Sequence, residues 1–367
     1  MFENIISLIK PLNVEAMEKC QLRLENLTKP LDSLHSFEHI ARQMAGITGN
    51  HRPQMLKKSI VVMAGDHGVA ATGVSLNPQT VTAEMMVNSC QGGSAINVFA
   101  DHVAAQLVLV DIGIATDLPE FPQLYYEKIA YGTKNITQEP AMTREEGIRG
   151  IAVGIKIAQA EVSKGCRIVG LGAMGIGNTI SSTGIIACYS GGKVAELLGL
   201  GKGISQSLLN QEIHLLETAL AVNQPDPRDA LDVLSKLGGL EIAGLVGVIL
   251  GAAAGGAAVV LDGLATSAAA LIAVKMAPQV KEYLVASHFD VEPAHKVALD
   301  LINVPGYLHL DMHLGEGTGG ALGMSLINAS LHVINDMKTF GEAEVAVAED
   351  GPGTLKQRQE RVTSATM

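Results

Sequence analysis

From Ser59 onward the chain alternates short β-branched runs ending in Gly or Asp with Ala- and Leu-rich segments of helical texture. The runs are Ser59 to Met63, Gln106 to Asp111, Arg167 to Leu171, Ala258 to Asp262 and Tyr307 to Asp311. Strands separated by helix-length connections pair in parallel and must be covered on both faces. The pattern therefore predicts an α/β fold, a Rossmann-like open parallel sheet with helices on both faces. Ligands in such sheets bind at the carboxyl ends of the strands, and three of the runs lead into glycine-rich or polar turns: Gly65-Asp66-His67-Gly68, Gly172 to Thr179, and Asp262-Gly263. Residues 1 to about 57 read instead as amphipathic helix, with Ile5, Leu8, Ile9 and Leu12 at helical spacing. The expected organisation is a large α/β domain over 58–325 carrying the cleft, and a small helical domain formed by 1–57 and 326–367. The tail after Gly353 loses its apolar periodicity and is expected to fray.

Composition narrows the function classes. Hydrophobic residues make up 47% of the 367, charged residues 17% and aromatic residues 3%, with 40 glycines and no Trp. The interior must be built mainly from Ala, Leu, Ile, Val and Met, the profile of an α/β enzyme. A net charge of -11 with no run of Lys or Arg argues against nucleic acid, whose phosphates demand a basic face. Cys20, Cys90, Cys166 and Cys188 lie far apart without CxxC spacing, so neither a zinc knuckle nor a disulfide framework is indicated and a cytoplasmic setting fits. The N-terminal residues lack the basic region and cleavage site of a signal peptide. Ile242 to Leu261 carries no charge over 20 residues, long enough for a membrane span. Gly255-Gly256 interrupts it, and Ala257 to Leu261 reads as buried strand, so the stretch is expected to be core helix, turn and central strand, with no membrane association.

Four places carry residues that chemistry uses. The turn Gly170 to Thr179 is a loose phosphate-loop pattern that would aim backbone amides at an anion at a helix N-terminus, with Asn178 or Thr179 as cap. It lacks the Lys-Ser/Thr pair of an ATPase loop and the acidic residue of a dinucleotide site; a turn needed only for helix–sheet packing is the alternative. Asp66 and His67 are an acid/base pair, metal ligands or organisers of the next loop. Neighbours on an extended chain point to opposite faces, which favours the organising role. His288 and His295 have no third ligand at diagnostic spacing, so no metal is expected. Finally, Leu314-Gly315-Glu316-Gly317-Thr318-Gly319-Gly320 holds one carboxylate between glycines, after the expected strand Tyr307 to Met312. Glu316 is either a solvated loop acid or a general base.

In order along the chain stand Ala64-Gly65-Asp66-His67-Gly68-Val69, Pro78 with Val81-Thr82-Ala83, Met174-Gly175-Ile176-Gly177-Asn178-Thr179, Asn223-Gln224-Pro225-Asp226-Pro227-Arg228-Asp229, Leu261-Asp262-Gly263, Ser287-His288-Phe289 and Leu314-Gly315-Glu316-Gly317. Together they resemble the nicotinate mononucleotide:5,6-dimethylbenzimidazole phosphoribosyltransferase family, which activates the lower-ligand base of cobamides, over roughly residues 20 to 345. The resemblance implies that an attacking aromatic base displaces nicotinate from nicotinate mononucleotide to give an α-riboside 5'-phosphate, with Glu316 at the family's base catalyst. The chemistry is consistent: nicotinate leaves without needing a proton, whereas the entering azole or phenol must lose one, so a single positioned base suffices. No cofactor or metal is implied, since carboxylates and dipoles stabilise an oxocarbenium-like ribose. Asn77, Met85, Met174 and Leu314 match the base pocket, and Gly175, Gly177, Asn178 and Gly315 the rest of the binding site.

The chain departs from the family's pattern at one subsite. Ala173 stands where a Glu is normal, Glu212 falls at the place of a phosphate-contacting Lys, and Asp290 replaces a phosphate-contacting Ser; Ala294 also replaces a Gly. Two unit charges of like sign in close contact repel by about 4 kcal/mol at an effective dielectric of ~20, so nicotinate mononucleotide is expected to bind this cleft poorly. Met85 replaces a Gln common in benzimidazole-using members, and an adaptable apolar surface suits a ring without a second nitrogen. This points to the branch that uses phenol or p-cresol and works as a heterodimer of two homologous chains. Two readings stay open: a phosphoribosyltransferase acting by itself as a homodimer, or a catalytically impaired structural subunit whose homologous partner carries the chemistry.

Overall fold

A computed structural model describes residues 2–199 and 204–347. Six strands form one parallel sheet: β1 Lys57–Gly65, β2 Ala105–Gly113, β3 Leu124–Tyr126, β4 Cys166–Met174, β5 Ala258–Leu261 and β6 Leu284–Ala286. Their order is β3-β2-β1-β4-β5-β6, with Met63 of β1 facing Val110 of β2 on one side and Ala173 of β4 on the other. The chain builds outward from β1 through β2 to β3, then returns to β1's other side and builds outward again. That reversal opens a crevice at the carboxyl ends of β1 and β4, where doubly wound sheets hold their ligands. The sheet is an α/β arrangement as expected, and residues such as Ile60, Val61, Met63, Ile168, Val169 and Leu171 are buried, as two-sided coverage requires.

The uncharged stretch resolves into helix Leu240–Ala254, a turn at Gly255-Gly256 and β5. The helix is apolar all round because it is buried all round, lying against helix Arg144–Ser163. Small residues make the contact possible: a Cβ at Gly154 would lie 1.8 Å from the Gly244 carbonyl oxygen, and one at Gly247 2.0 Å from that of Ile151. Among the described residues no helix is long and apolar enough to cross a membrane.

One expected strand is corrected. The run Tyr307 to Asp311 does not join the main sheet; only Leu308–His309 (β8) is extended, pairing with His288–Phe289 (β7) in a separate two-stranded sheet. Leu310 and Asp311 are exposed, and Asp311 has φ 51. His309 and Asp311 interrupt the continuous apolar run that a strand covered on both faces needs. The sheet edges are instead the three-residue strands β3 and β6, the latter wholly buried.

The chain divides into two compact units. The larger holds residues 2–10 and Lys57–Met324; the smaller holds Pro11–Leu56 and the described residues from Ser325 onward. The tail after Gly353 lies outside the described residues. Residues 2–10, expected in the helical domain, group with the α/β unit because Tyr283 Oη donates to the Lys10 carbonyl at 2.7 Å and Gln279 Nε2 to that of Ile6. In the smaller unit Cys20, Leu24 and Leu27 pack on Ala41, Ala45 and Ile334.

Candidate active site

The crevice is a cavity of about 500 Å³ within the larger unit, in the range of small-molecule sites. Glu316, the residues matched to the binding site, and the altered positions Ala173, Glu212 and Asp290 all border it. Asn77 and Met85 come from the segment after β1, and Ala173, Met174, Gly175, Gly177 and Asn178 from the end of β4 and the following turn. Glu212 comes from helix Gln206–Asn223, Asp290 from the segment after β7, and Leu314, Gly315 and Glu316 from the loop before helix Thr318–Asp336.

The glycine turn packs closely against its neighbours and also borders the cavity. Gly177 has φ +98, a left-handed conformation that side chains resist, and it leads directly into helix Asn178–Ser190, whose first residues face the cavity. Within the turn, two amides are already committed to the protein. Ile176 N donates to Thr82 Oγ1 at 3.1 Å and Asn178 N to the Gly175 carbonyl at 3.1 Å. Gly175 and Gly177 are the amides of that run left as candidate donors to a ligand.

Glu316 is not a solvated loop acid. It is only 6% exposed, and its Oε2 atom is buried without a hydrogen-bond partner. Its loop is clamped from two sides. Ala173 N at the end of β4 donates to the Gly315 carbonyl at 2.9 Å, and the Glu316 carbonyl passes so close to β4 that a Cβ at Gly172 would meet it at 2.5 Å. From the other side Asp262, which follows β5, accepts from Gly317 N and Gly320 N, each at 2.9 Å. Burial pushes the Glu316 carboxyl above its ordinary range, and the nearby Asp262 charge adds to the effect. Burial likewise pushes Asp262 up, to about 7, against the lowering effect of those backbone amides. A buried carboxylate with raised basicity and one uncommitted oxygen at a cavity wall is equipped to take a proton.

Sequence reading misses several groups here. Asp262 stands out in the sequence as part of a polar turn and of a family motif but with no role assigned, and Glu292 and His313, which line the cavity, carry no signal there. Glu292 is 3% exposed and brings the carboxylates along the wall to four, with Glu212, Asp290 and Glu316. No Lys or Arg lines the cavity among the described residues. Beside Glu316 the wall opens into a void of about 10 Å³ lined by Met85, Met86 and Met174 with Val62, Ser89 and Ile96.

Asp66 and His67 do not border the cavity but lie behind the glycine turn, both buried. Asp66 Oδ2 accepts from Ala115 N at 2.8 Å; His67 meets Ser181 Oγ through Nδ1 at 2.8 Å and Glu241 Oε1 through Nε2 at 2.6 Å. They point to different partners, as neighbours on extended chain should. His288 and His295 are likewise engaged internally: His288 Nδ1 pairs with Ser287 Oγ, and His295 Nδ1 accepts from Asp290 N.

Known proteins share this sequence and geometry. A family model described as phosphoribosyltransferase matches residues 9–345. Proteins named nicotinate-nucleotide–dimethylbenzimidazole phosphoribosyltransferase from Chloroflexus aggregans and Geobacter sulfurreducens are each 47% identical over 341 residues, covering 93% of this chain and 97% of theirs. A crystal structure of the protein of that name from Thermus thermophilus superposes with a TM-score of 0.87 at 36% identity, over 92% of this chain and 100% of the other. With the fold and the sequence in agreement over nearly the whole length, the chain belongs to the nicotinate-nucleotide–dimethylbenzimidazole phosphoribosyltransferase family.

Proposed function

We propose that this chain transfers the 5-phosphoribosyl group of nicotinate mononucleotide to an aromatic base, with Glu316 as the general base. The observation that carries this reading is the buried, uncommitted Oε2 of Glu316 at the junction of the main cavity and the methionine-lined recess. An aromatic acceptor seated in the main cavity against Met85 and Met174 would present its N–H or O–H to Glu316. Its nitrogen or oxygen attacks C1' of the ribose; the bond from C1' to the nicotinate nitrogen breaks, and its electron pair neutralises the pyridinium. The acceptor's proton passes to Glu316 and from there to solvent. Attack opposite the leaving group inverts C1' and gives the α-riboside 5'-phosphate. The phosphate lies at the glycine turn and the N-terminus of helix Asn178–Ser190. Met85, Met174 and Leu314 give this part of the main cavity an apolar wall, which favours a simple ring such as phenol or p-cresol alongside dimethylbenzimidazole.

A second reading rests on a specific observation: Ala173, Glu212 and Asp290, the three departures from the family's pattern at the phosphate subsite, all border the cavity. A subsite altered at those three positions suits a structural subunit whose homologous partner does the chemistry. Nicotinate release by the chain alone, abolished by Glu316→Gln, supports the first reading. Turnover that appears only with a homologous chain, and survives Glu316→Gln, assigns this chain to the second.

A further inference from the structure

The buried groups behind the glycine turn have no place in the chemistry just described, yet they meet it at two points. Thr82, fully buried on helix Thr80–Cys90, accepts the Ile176 amide at 3.1 Å. Burial pushes the nearby Asp66 carboxyl up, and the Thr82 hydroxyl is among the groups that draw it back down. His67 underlies the same turn. Its ring carbon lies 3.5 Å from where a Gly175 Cβ would be, and its Cβ lies 3.0 Å from that of a Gly177 side chain. Through its two ring nitrogens it ties Ser181, in the first turn of helix Asn178–Ser190, to Glu241, in the first turn of helix Leu240–Ala254. Both glycines thus rest on His67, and the amide between them is turned away from the cavity.

We infer that Thr82 is a positioning residue for the donor's phosphate: by taking the Ile176 amide, on a base formed by Asp66 and His67, it sets the turn so that Gly175 and Gly177 present their amides to the anion. A peptide run can present alternate N–H groups to one side only if the intervening N–H finds a partner on the other, because a buried amide left unsatisfied is costly. Thr82 supplies that partner without touching substrate. This inference rests on the proposed function for the identity of the donor, but it concerns recognition of the phosphate and not the proton transfer at Glu316.

The test compares two ligands that differ only in the phosphate, nicotinate mononucleotide and nicotinate riboside, by calorimetric titration of the wild-type chain, Thr82→Val and Thr82→Ser. Valine keeps the shape and removes the acceptor; serine restores it. Thr82→Val should weaken the mononucleotide by about tenfold, the scale of one hydrogen bond, leave the riboside within about twofold, and be rescued by Thr82→Ser. Equal weakening of both ligands, no change in either, or a wild-type chain that binds the mononucleotide no tighter than the riboside would overturn the inference. The proposed function fails separately, by nicotinate release that Glu316→Gln does not diminish.

Discussion

At the scale of single residues the site is governed by what surrounds each carboxylate. Glu316 must be ionised to accept a proton, and burial together with Asp262 raises its pKa above the ordinary 4.5. Below the raised value the carboxyl is protonated and inert; above it the base is available. The acid limb of kcat/KM against pH should therefore have its midpoint above 4.5, and Glu316→Gln should remove that limb along with the activity. A midpoint at or below the ordinary value would mean that another group governs it. Glu212 and Asp290 border the cavity at the positions matched to the phosphate subsite, so their effect should fall on the donor. The combined change Ala173→Glu, Glu212→Lys and Asp290→Ser should tighten nicotinate mononucleotide by about tenfold or more in calorimetry, since it removes two carboxylates and adds a cation at the proposed phosphate subsite, which outweighs the one carboxylate added at position 173. Unchanged affinity would show that these side chains do not face the phosphate.

At the scale of elements, the contact between helices Arg144–Ser163 and Leu240–Ala254 depends on glycine. Gly154→Ala drives a methyl group into the Gly244 carbonyl, 1.8 Å away, and should cost about 1–3 kcal/mol, read as a lowered Tm. Gly192→Ala, whose nearest neighbour would be 3.4 Å away, should stay within about 0.5 kcal/mol. The uncharged stretch was legible because Gly255-Gly256 marks where helix gives way to strand. The edge strands β3 and β6 were not, because three residues carry no periodicity and only pairing makes them strands. The run Tyr307 to Asp311 misled for the opposite reason: its composition suits a strand, but His309 and Asp311 do not suit a covered one. Glu316 stood out because glycines flank it. Asp262 and Thr82 act through Gly317 and Ile176, 55 and 94 residues away, and no local pattern announces such bonds.

At the scale of the whole molecule, a chain of net charge -11 repels the anionic donor proposed for it. Screening weakens that repulsion, so affinity for nicotinate mononucleotide should rise severalfold between about 0.02 M and about 0.2 M salt, where a cation-lined phosphate site would lose affinity. Titration at the two ionic strengths distinguishes these. The sheet places the glycine turn at its switch point, the smaller polar contacts fix that turn and the Glu316 loop, and the account of function depends on the two acting on one bound donor. The most direct test is nicotinate release from nicotinate mononucleotide by the chain alone, with dimethylbenzimidazole or phenol as acceptor, in the wild type and in Glu316→Gln. The expected result is acceptor-dependent release that falls by about 10²–10⁴-fold in the variant. Release undiminished by Glu316→Gln, or release that requires a second homologous chain, would contradict the assignment of Glu316 as the operating base.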